Sequence, residues 1–524
     1  MNRPRGKNGR ALLCFFHLIT DFFPRLHLTA CCMSMPCMIA PRCFWPSPRC
    51  FCRACLLLLF LWVGHWLPAQ QHLPLVDIRL VGNALTRAWV IERELTFQIG
   101  DSLPTDRLYE ILEQNRRNVQ NLNLFQTVQV LPVYLPNALG VQITVQERFP
   151  LGGQPLFALE ERNSYDIVGA FTRGDFHRLV YGGWGIARNL TGRGELLYLG
   201  LQWGFSRRVR LRFTRPNLWP RFNLDLRVGG SYVRQPEIMV GTVRGQVQWI
   251  EVATEPLQRY YDLFVGLNKR WGQYHSLYGE VNYHHYALAD SLYAFTLEGQ
   301  PHRYLTNGEG RERYLGLSLI AEVDRRDWRS FPLDGYQLRL LGRVVGGPLS
   351  TTQFAKLGFT WAHHLPLGAG FNLAYGLQSL YTLGEQIPFF EKSQVGILRY
   401  EFPAISTELR GYEPYIIDGT FLNLAKAELK YALVPYHNFT WDWVPFNAGR
   451  NLAFGCYLSA FADLGYVRDQ SINNHDQTFK DKLLQGYGLG LNLIGIYDML
   501  LRIEWTRNHL AQRGIYLHGT LPIK

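Results

Sequence analysis

From Tyr181 to the C-terminus, apolar and polar residues alternate over one short stretch after another, with no segment whose apolar positions recur at helical spacing. In Val209-Arg210-Leu211-Arg212-Phe213-Thr214 the apolar side chains fall on one face of an extended chain and both arginines on the other. Residues 336–343 and 499–506 repeat that split. A slip of one residue would turn Arg210 and Arg212 toward the apolar surroundings. In lipid that costs about 2–4 kcal/mol for each charge near the midplane, so the register is tightly specified. The pattern predicts sixteen strands between residues 184 and 522. The first is 184–189, the fifth 242–252, the eleventh 371–381, the twelfth 421–434, the thirteenth 452–467 and the last 514–522. An even number of strands at about 21 residues per strand and loop matches an antiparallel barrel that crosses a bilayer with strands of about 9–11 residues. The predicted fold class is therefore mainly β: a 16-stranded transmembrane antiparallel β-barrel preceded by one small α+β domain.

That domain, residues 73–149, follows a different rhythm. Residues 76–81 alternate as a strand and Gly82-Asn83 makes a turn. Thr86 is placed to cap a helix running through Leu95, and Gly100-Asp101 stops it. Thr105 or Asp106 caps a second helix, in which Leu108, Ile111, Leu112, Val119 and Leu122 recur at helical spacing. Strands 125–134 and 141–147 complete a β-α-α-β-β unit with a three-stranded sheet, whose open edge could pair with an extended segment of another chain. Residues 150–180 read as a linker, and 181–524 as the barrel.

Composition sharpens the picture at the N-terminus. Arg49 and Arg53 precede a short apolar run over residues 54–63, and Ala69 is the small residue before a polar start: a secretory signal peptide occupying residues 1–69. Its length suggests a true start at Met33, Met35 or Met38. Residues 1–70 hold eight basic residues and one acid, so most of the formal +12 belongs to the leader and is no sign of nucleic-acid binding. Eight of nine cysteines precede residue 56, leaving Cys456 alone in the exported body, which excludes an intramolecular disulfide there. Aromatic residues reach 14% and charged residues only 18%, in keeping with a folded chain that meets lipid.

Gly82-Asn83, Arg93-Glu94-Leu95, Gly100-Asp101, Leu124-Phe125 and Val145-Gln146-Glu147-Arg148 make the small domain resemble a POTRA (polypeptide-transport-associated) domain. Two signatures follow in the barrel: Glu408-Leu409-Arg410-Gly411-Tyr412 before the twelfth strand, and Phe461-Ala462-Asp463-Leu464-Gly465 on the thirteenth. Together these resemble the outer-membrane insertase and translocase superfamily typified by BamA and TamA, in its Bacteroidetes-like form. The resemblance spans residues 73–524. It implies a protein of the cell outer membrane with the POTRA domain in the periplasm. Such a protein inserts or translocates client proteins, without a nucleotide, at a weak seam between the first and last strands. The implied partners are unfolded outer-membrane proteins, membrane lipid and periplasmic chaperones or accessory lipoproteins. A dedicated secretion pore, or a passive channel plugged by the Arg-Gly-Tyr loop, is the alternative.

The same residues can be read physically. Leu458, Ala460, Ala462 and Leu464 share one face of the thirteenth strand, which turns Asp463 inward. On the twelfth strand Glu428 shares its face with Lys426 and Lys430 and also points inward. A confined carboxylate needs a partner, and an inward loop carrying Arg410 supplies a forked donor. The expectation is that Arg410 docks on Asp463 with Glu428 as second acceptor, Gly411 permitting the tight backbone and Tyr412 packing the loop tip. Phe461 and Gly465 complete the strand motif.

Enzymatic chemistry is not predicted. His284-His285 and His363-His364 point to opposite faces of their strands, and no HExxH, GxSxG or P-loop pattern occurs. Gly486-Tyr487-Gly488-Leu489-Gly490 reads as a glycine-relieved strand, not a phosphate cradle. No cofactor, metal or nucleic-acid partner is expected.

Overall fold

The computed structural model describes residues 72–159, 170, 172–251, 257–289, 295–297, 300–302, 305, 310–385, 387–395, 407–440, 451–471, 478–495 and 499–520. The expected leader, with its eight cysteines, lies outside the described residues, as does Pro522.

Residues 72–147 fold around one apolar core. The strands are β1 (His72–Val81), β2 (Ser102–Pro104), β3 (Phe125–Leu135) and β4 (Ala138–Glu147), with helices α1 (Ala88–Glu92) and α2 (Leu108–Gln120). The sheet order is β2-β1-β4-β3, with β1 and β4 parallel and the other pairs antiparallel. Val90 and Ile91 of α1, and Leu108, Leu112 and Val119 of α2, pack on Leu139, Val141 and Ile143 of β4. The sheet thus has four strands, not three, because Leu103 carries a short third strand back onto the start of β1. Thr86 does not cap α1. Arg87 stands at the N-cap, and the Thr86 hydroxyl and amide both donate to Glu147 instead. A carboxylate in reach outcompetes the free end of a five-residue helix.

The chain then enters a 16-stranded antiparallel sheet. Its first half comprises β5 (Leu151–Leu159), β6 (Leu179–Arg188), β7 (Leu196–Gly204), β8 (Arg207–Trp219) and β9 (Leu224–Gln235). After a detached hairpin, β10 (Glu237–Val243) and β11 (Gln246–Glu251), come β12 (Gln258–Trp271) and β13 (His275–Leu288). A second short hairpin, β14 (Phe295–Leu297) and β15 (Gln300–His302), precedes β16 (Arg311–Asp324), β17 (Gly335–Val345), β18 (Phe354–Gly368) and β19 (Phe371–Leu383). A short antiparallel pair follows, β20 (Ser393–Val395) and β21 (Ile417–Gly419). The wall closes its sequence with β22 (Phe421–Thr440), β23 (Asn451–Arg468), β24 (Leu483–Ile494), β25 (Leu500–Asn508) and β26 (Arg513–Thr520). Wall strands pair in chain order, and among the described residues β5 and β26 form the two edges.

The total of sixteen holds through two compensating differences from the sequence pattern. Leu151–Leu159, expected to be linker, is the first wall strand, antiparallel to β6. Gly152, Gly153 and Pro155 hide its alternation. Of residues 242–252, expected to be the fifth strand, the described 242–251 belong instead to the β10–β11 hairpin, which among the described residues pairs only with itself. Arg244 and Gly245, both at positive φ, form its turn inside what looked like one continuous strand. The segment 184–189 is the second half of β6, the second wall strand.

The alternation sorts as expected. Leu211 is 50% exposed and Leu317, Leu340 and Leu464 are similarly bare on the outer face, while Arg343, Asp463 and Glu504 are buried inside. At the end of the barrel away from the small domain, β10–β11 folds over the mouth. Ile416 donates its amide to the Gly245 carbonyl at 2.9 Å, and Thr242 bonds Asp418. Beneath it two buried lysines alternate with two buried aspartates: Lys392 reaches Asp469 at 2.9 Å, and Lys480 reaches Asp418 at 3.4 Å and Asp469 at 3.3 Å. Balanced signs make this burial tolerable.

At the opposite end, the small domain is fastened to the turns between wall strands. Arg270 at the end of β12 grips Glu94 through two bonds of 2.8 Å. Gln273 donates to the Leu95 carbonyl at 2.8 Å, Asn189 donates to the Thr86 hydroxyl at 2.8 Å, and Arg87 donates its amide to the Gly192 carbonyl at 2.8 Å. Arg270→Ala removes the fork, leaving buried Glu94 with Arg93 at 3.0 Å. The expected cost to the docked arrangement is about 2–3 kcal/mol. Spin labels on exposed Tyr109 and on the 272–274 turn should then report a broadened distance distribution; an unchanged distribution would show that the clamp is dispensable.

Candidate functional site in the barrel lumen

Between β19 and β22, residues 407–416 turn into the lumen and rest against β22 to β25. Glycines make the room. A Cβ on Gly465 would meet Leu409 Cδ2 at 2.7 Å, and a Cβ on Gly486 would overlap the Arg410 carbonyl oxygen outright. Gly486 pairs with Asp463 across the β23–β24 ladder, so the bare patch lies beside the carboxylate that the loop reaches.

Arg410 is 3% exposed and Asp463 0%. The guanidinium donates from Nε to Asp463 Oδ2 at 2.8 Å and from Nη2 to Oδ1 at 2.6 Å, a two-pronged pairing. The Arg410 amide adds a bond to Oδ2 at 3.3 Å. Nη1 lies 3.4 Å from Glu428 Oε2 and 3.5 Å from Glu504 Oε1. The face of the guanidinium covers the Phe461 ring, its central carbon 3.7 Å from the ring centroid. One cation thus meets three carboxylates and an aromatic face, which holds the loop tip in one orientation.

Gly411 has φ +91°, a left-handed conformation that favours glycine. Its amide donates to Glu413 Oε2 at 2.9 Å and its carbonyl accepts from Asn508 at 2.9 Å. Burial pushes the Glu413 carboxyl up to about 7, against the pull of backbone donors. Tyr412 is fully buried. Its hydroxyl takes the Gln485 amide at 3.1 Å, bonds His509, and its ring packs edge-on against Phe479. Leu409, Tyr412, Ile417, Val467 and Phe479 form a compact apolar cluster around the loop.

All seven residues singled out from the sequence therefore fall in one place: Arg410, Gly411 and Tyr412 on the loop, Asp463, Phe461 and Gly465 on β23, and Glu428 on β22. Sequence reasoning missed Glu504 as a third acceptor, although alternation on β25 had already turned Arg502 and Glu504 to the inner face. It also missed Gly486, whose signal was the glycine triplet on β24. A cavity of about 710 Å³ separates this cluster from the small domain, lined by Glu94, Arg270, Arg339, Lys430 and Arg502 among others.

Residues 189–434 match the Omp85 superfamily domain. Among solved structures the chain is similar to BamA from Haemophilus ducreyi lacking POTRA domains 1–3. The identity is 15%, covering 86% of this chain and 84% of that one, with a TM-score of 0.46. It is also similar to CdiB from Escherichia coli, at 11% identity over 85% and 75% of the two chains and a TM-score of 0.47. No curated protein matches the chain.

Proposed function

We propose that this chain, a member of the Omp85 superfamily through residues 189–434, is an outer-membrane assembly factor that inserts or translocates client proteins, with residues 73–149 as a POTRA domain on the periplasmic side. The observation that carries the reading is the docking of Arg410 on Asp463 inside a 16-stranded wall. The loop is anchored to β23, β24 and β25, and β5 and β26 stand as the two edges of the wall. An edge strand offers unpaired amides and carbonyls, and Pro155 takes one donor out of β5. A weak junction there would let an incoming strand template on β26, its free energy supplied by backbone pairing and by burial of apolar side chains in lipid, with no nucleotide involved.

Depletion of the protein followed by a survey of the outer-membrane proteome tests this. A general fall in β-barrel proteins supports the assembly role. Loss of one exported protein with the barrels intact would instead favour a dedicated secretion pore.

A further inference from the structure

Behind the Arg410 fork, the loop and the last two wall strands gather a second set of groups that protein insertion does not call for. His518 on β26 stands among three carboxylates. Its Nδ1 lies 3.0 Å from Glu408 Oε1, and its Nε2 lies 3.4 Å from Glu504 Oε2 and 3.8 Å from Glu413 Oε1. Glu408 and Glu504 each give one oxygen to Arg502, at 3.0 and 3.5 Å, and turn the other toward the imidazole. Glu504 Oε2 and His518 Nε2 are buried and make no hydrogen bond, and Glu504 is 0% exposed. One ligand atom from each of Glu408, Glu504 and His518 lies within 4.8 Å of the other two.

A buried oxygen left without a donor is costly, and an imidazole nitrogen flanked by carboxylates is a donor set for borderline divalent cations. Bonds of about 2.0–2.2 Å to nitrogen and oxygen place neighbouring ligands of a tetrahedral ion about 3.4 Å apart. His518 Nε2 and Glu504 Oε2 already have that spacing, at 3.4 Å. We propose that His518, Glu504 and Glu408 bind one divalent transition-metal cation of the Zn2+ class, with Glu413 as a further oxygen on the same side.

Arg502 orients the two carboxylates through their outer oxygens, as supporting groups do around metal ligands, and Arg410 reaches Glu504 Oε1 from the other side. The two guanidinium groups offset much of the carboxylate charge. The site therefore selects ions that bond strongly to imidazole over Mg2+ and Ca2+, which depend on charged oxygen ligands. Glu408 and Glu413 belong to the loop, Glu504 to β25 and His518 to β26. A bound ion fastens the inward loop to the edge strand of the wall.

The test uses the full chain purified in detergent, stripped with chelator, then equilibrated with Zn2+ alone or Co2+ alone. About one Zn2+ per chain should survive gel filtration, and Co2+ should give visible ligand-field absorption. His518→Ala and Glu408→Gln should each weaken retention by at least about tenfold, while excess Mg2+ or Ca2+ should not displace the ion. Neither variant touches the Arg410–Asp463 pair, and heat-dependent migration on gels checks that each still folds. A wild-type chain that retains no Zn2+, or an His518→Ala chain that retains as much as wild type, overturns the proposal; so does a cluster that takes up only protons on acidification.

Discussion

Arg410→Ala is expected to release the inward loop from the barrel wall and to abolish function while leaving the strands assembled. The substitution strands Asp463, fully buried on β23, without the fork that holds both its oxygens. Removing one partner of a buried pair costs about 3–5 kcal/mol, or roughly two to four orders of magnitude in the ratio of docked to undocked loop. Limited proteolysis within residues 396–416 should report the release, and the heat needed to unfold the barrel on gels should fall. Arg410→Lys should recover only part of the loss, because an ammonium cannot engage both oxygens and lie flat on Phe461. Combining Arg410→Ala with Asp463→Asn should be milder than Arg410→Ala alone, since no naked charge then remains. If the double variant is as damaged as the sum of the two single ones, the pair does not act as a unit.

Gly486→Ala is the second change with a large expected effect, and it separates the loop from the wall. The new Cβ would occupy the place of the Arg410 carbonyl oxygen, a backbone atom with little room to retreat. Yet Gly486 is an ordinary ladder residue of β24, paired with Asp463 and Asn508. Alanine therefore costs the strand nothing and removes some of the chain entropy that glycine brings to folding. The expected outcome is a barrel that resists heat like the wild type but whose loop is cleaved as readily as in Arg410→Ala, a loss of docking of at least about 3 kcal/mol. Wild-type protection of the loop in this variant would mean that the loop does not pass over β24.

Much of this architecture was legible because a two-residue period leaves little freedom once one face meets lipid. The inward positions of Asp463 and Glu428 follow from their apolar neighbours alone, and a buried acid without a partner points to a cation brought from elsewhere in the chain. What failed to show was governed by contacts far apart in sequence. The strand Leu151–Leu159 carries two glycines and a proline, and its pairing with β6 is invisible in its own composition. The β10–β11 hairpin alternates like a wall strand because it too has one apolar face, turned onto the cap cluster that includes Ile238 and Val240. Thr86 looked like a helix cap because nothing local reveals Glu147, 61 residues away. His518 was passed over because a lone histidine on a strand acquires meaning only from the carboxylates that two other segments bring to it.

The joint between the small domain and the wall is unusually short. Glu147 ends β4 and Leu151 begins β5, and Arg148 is still tied to the domain through bonds to the Leu124 and Phe125 carbonyls at 2.9 and 2.8 Å. The Pro150 carbonyl already accepts from the Arg188 amide at 2.7 Å. That leaves Phe149 as the only slack, a leash of about 7 Å from one anchored residue to the next even when fully drawn out. If the clamp at Arg270 opens and the domain swings, the motion must be delivered as torque to the first stave of the cylinder, so any force applied from below arrives at the edge and not at the middle of the wall.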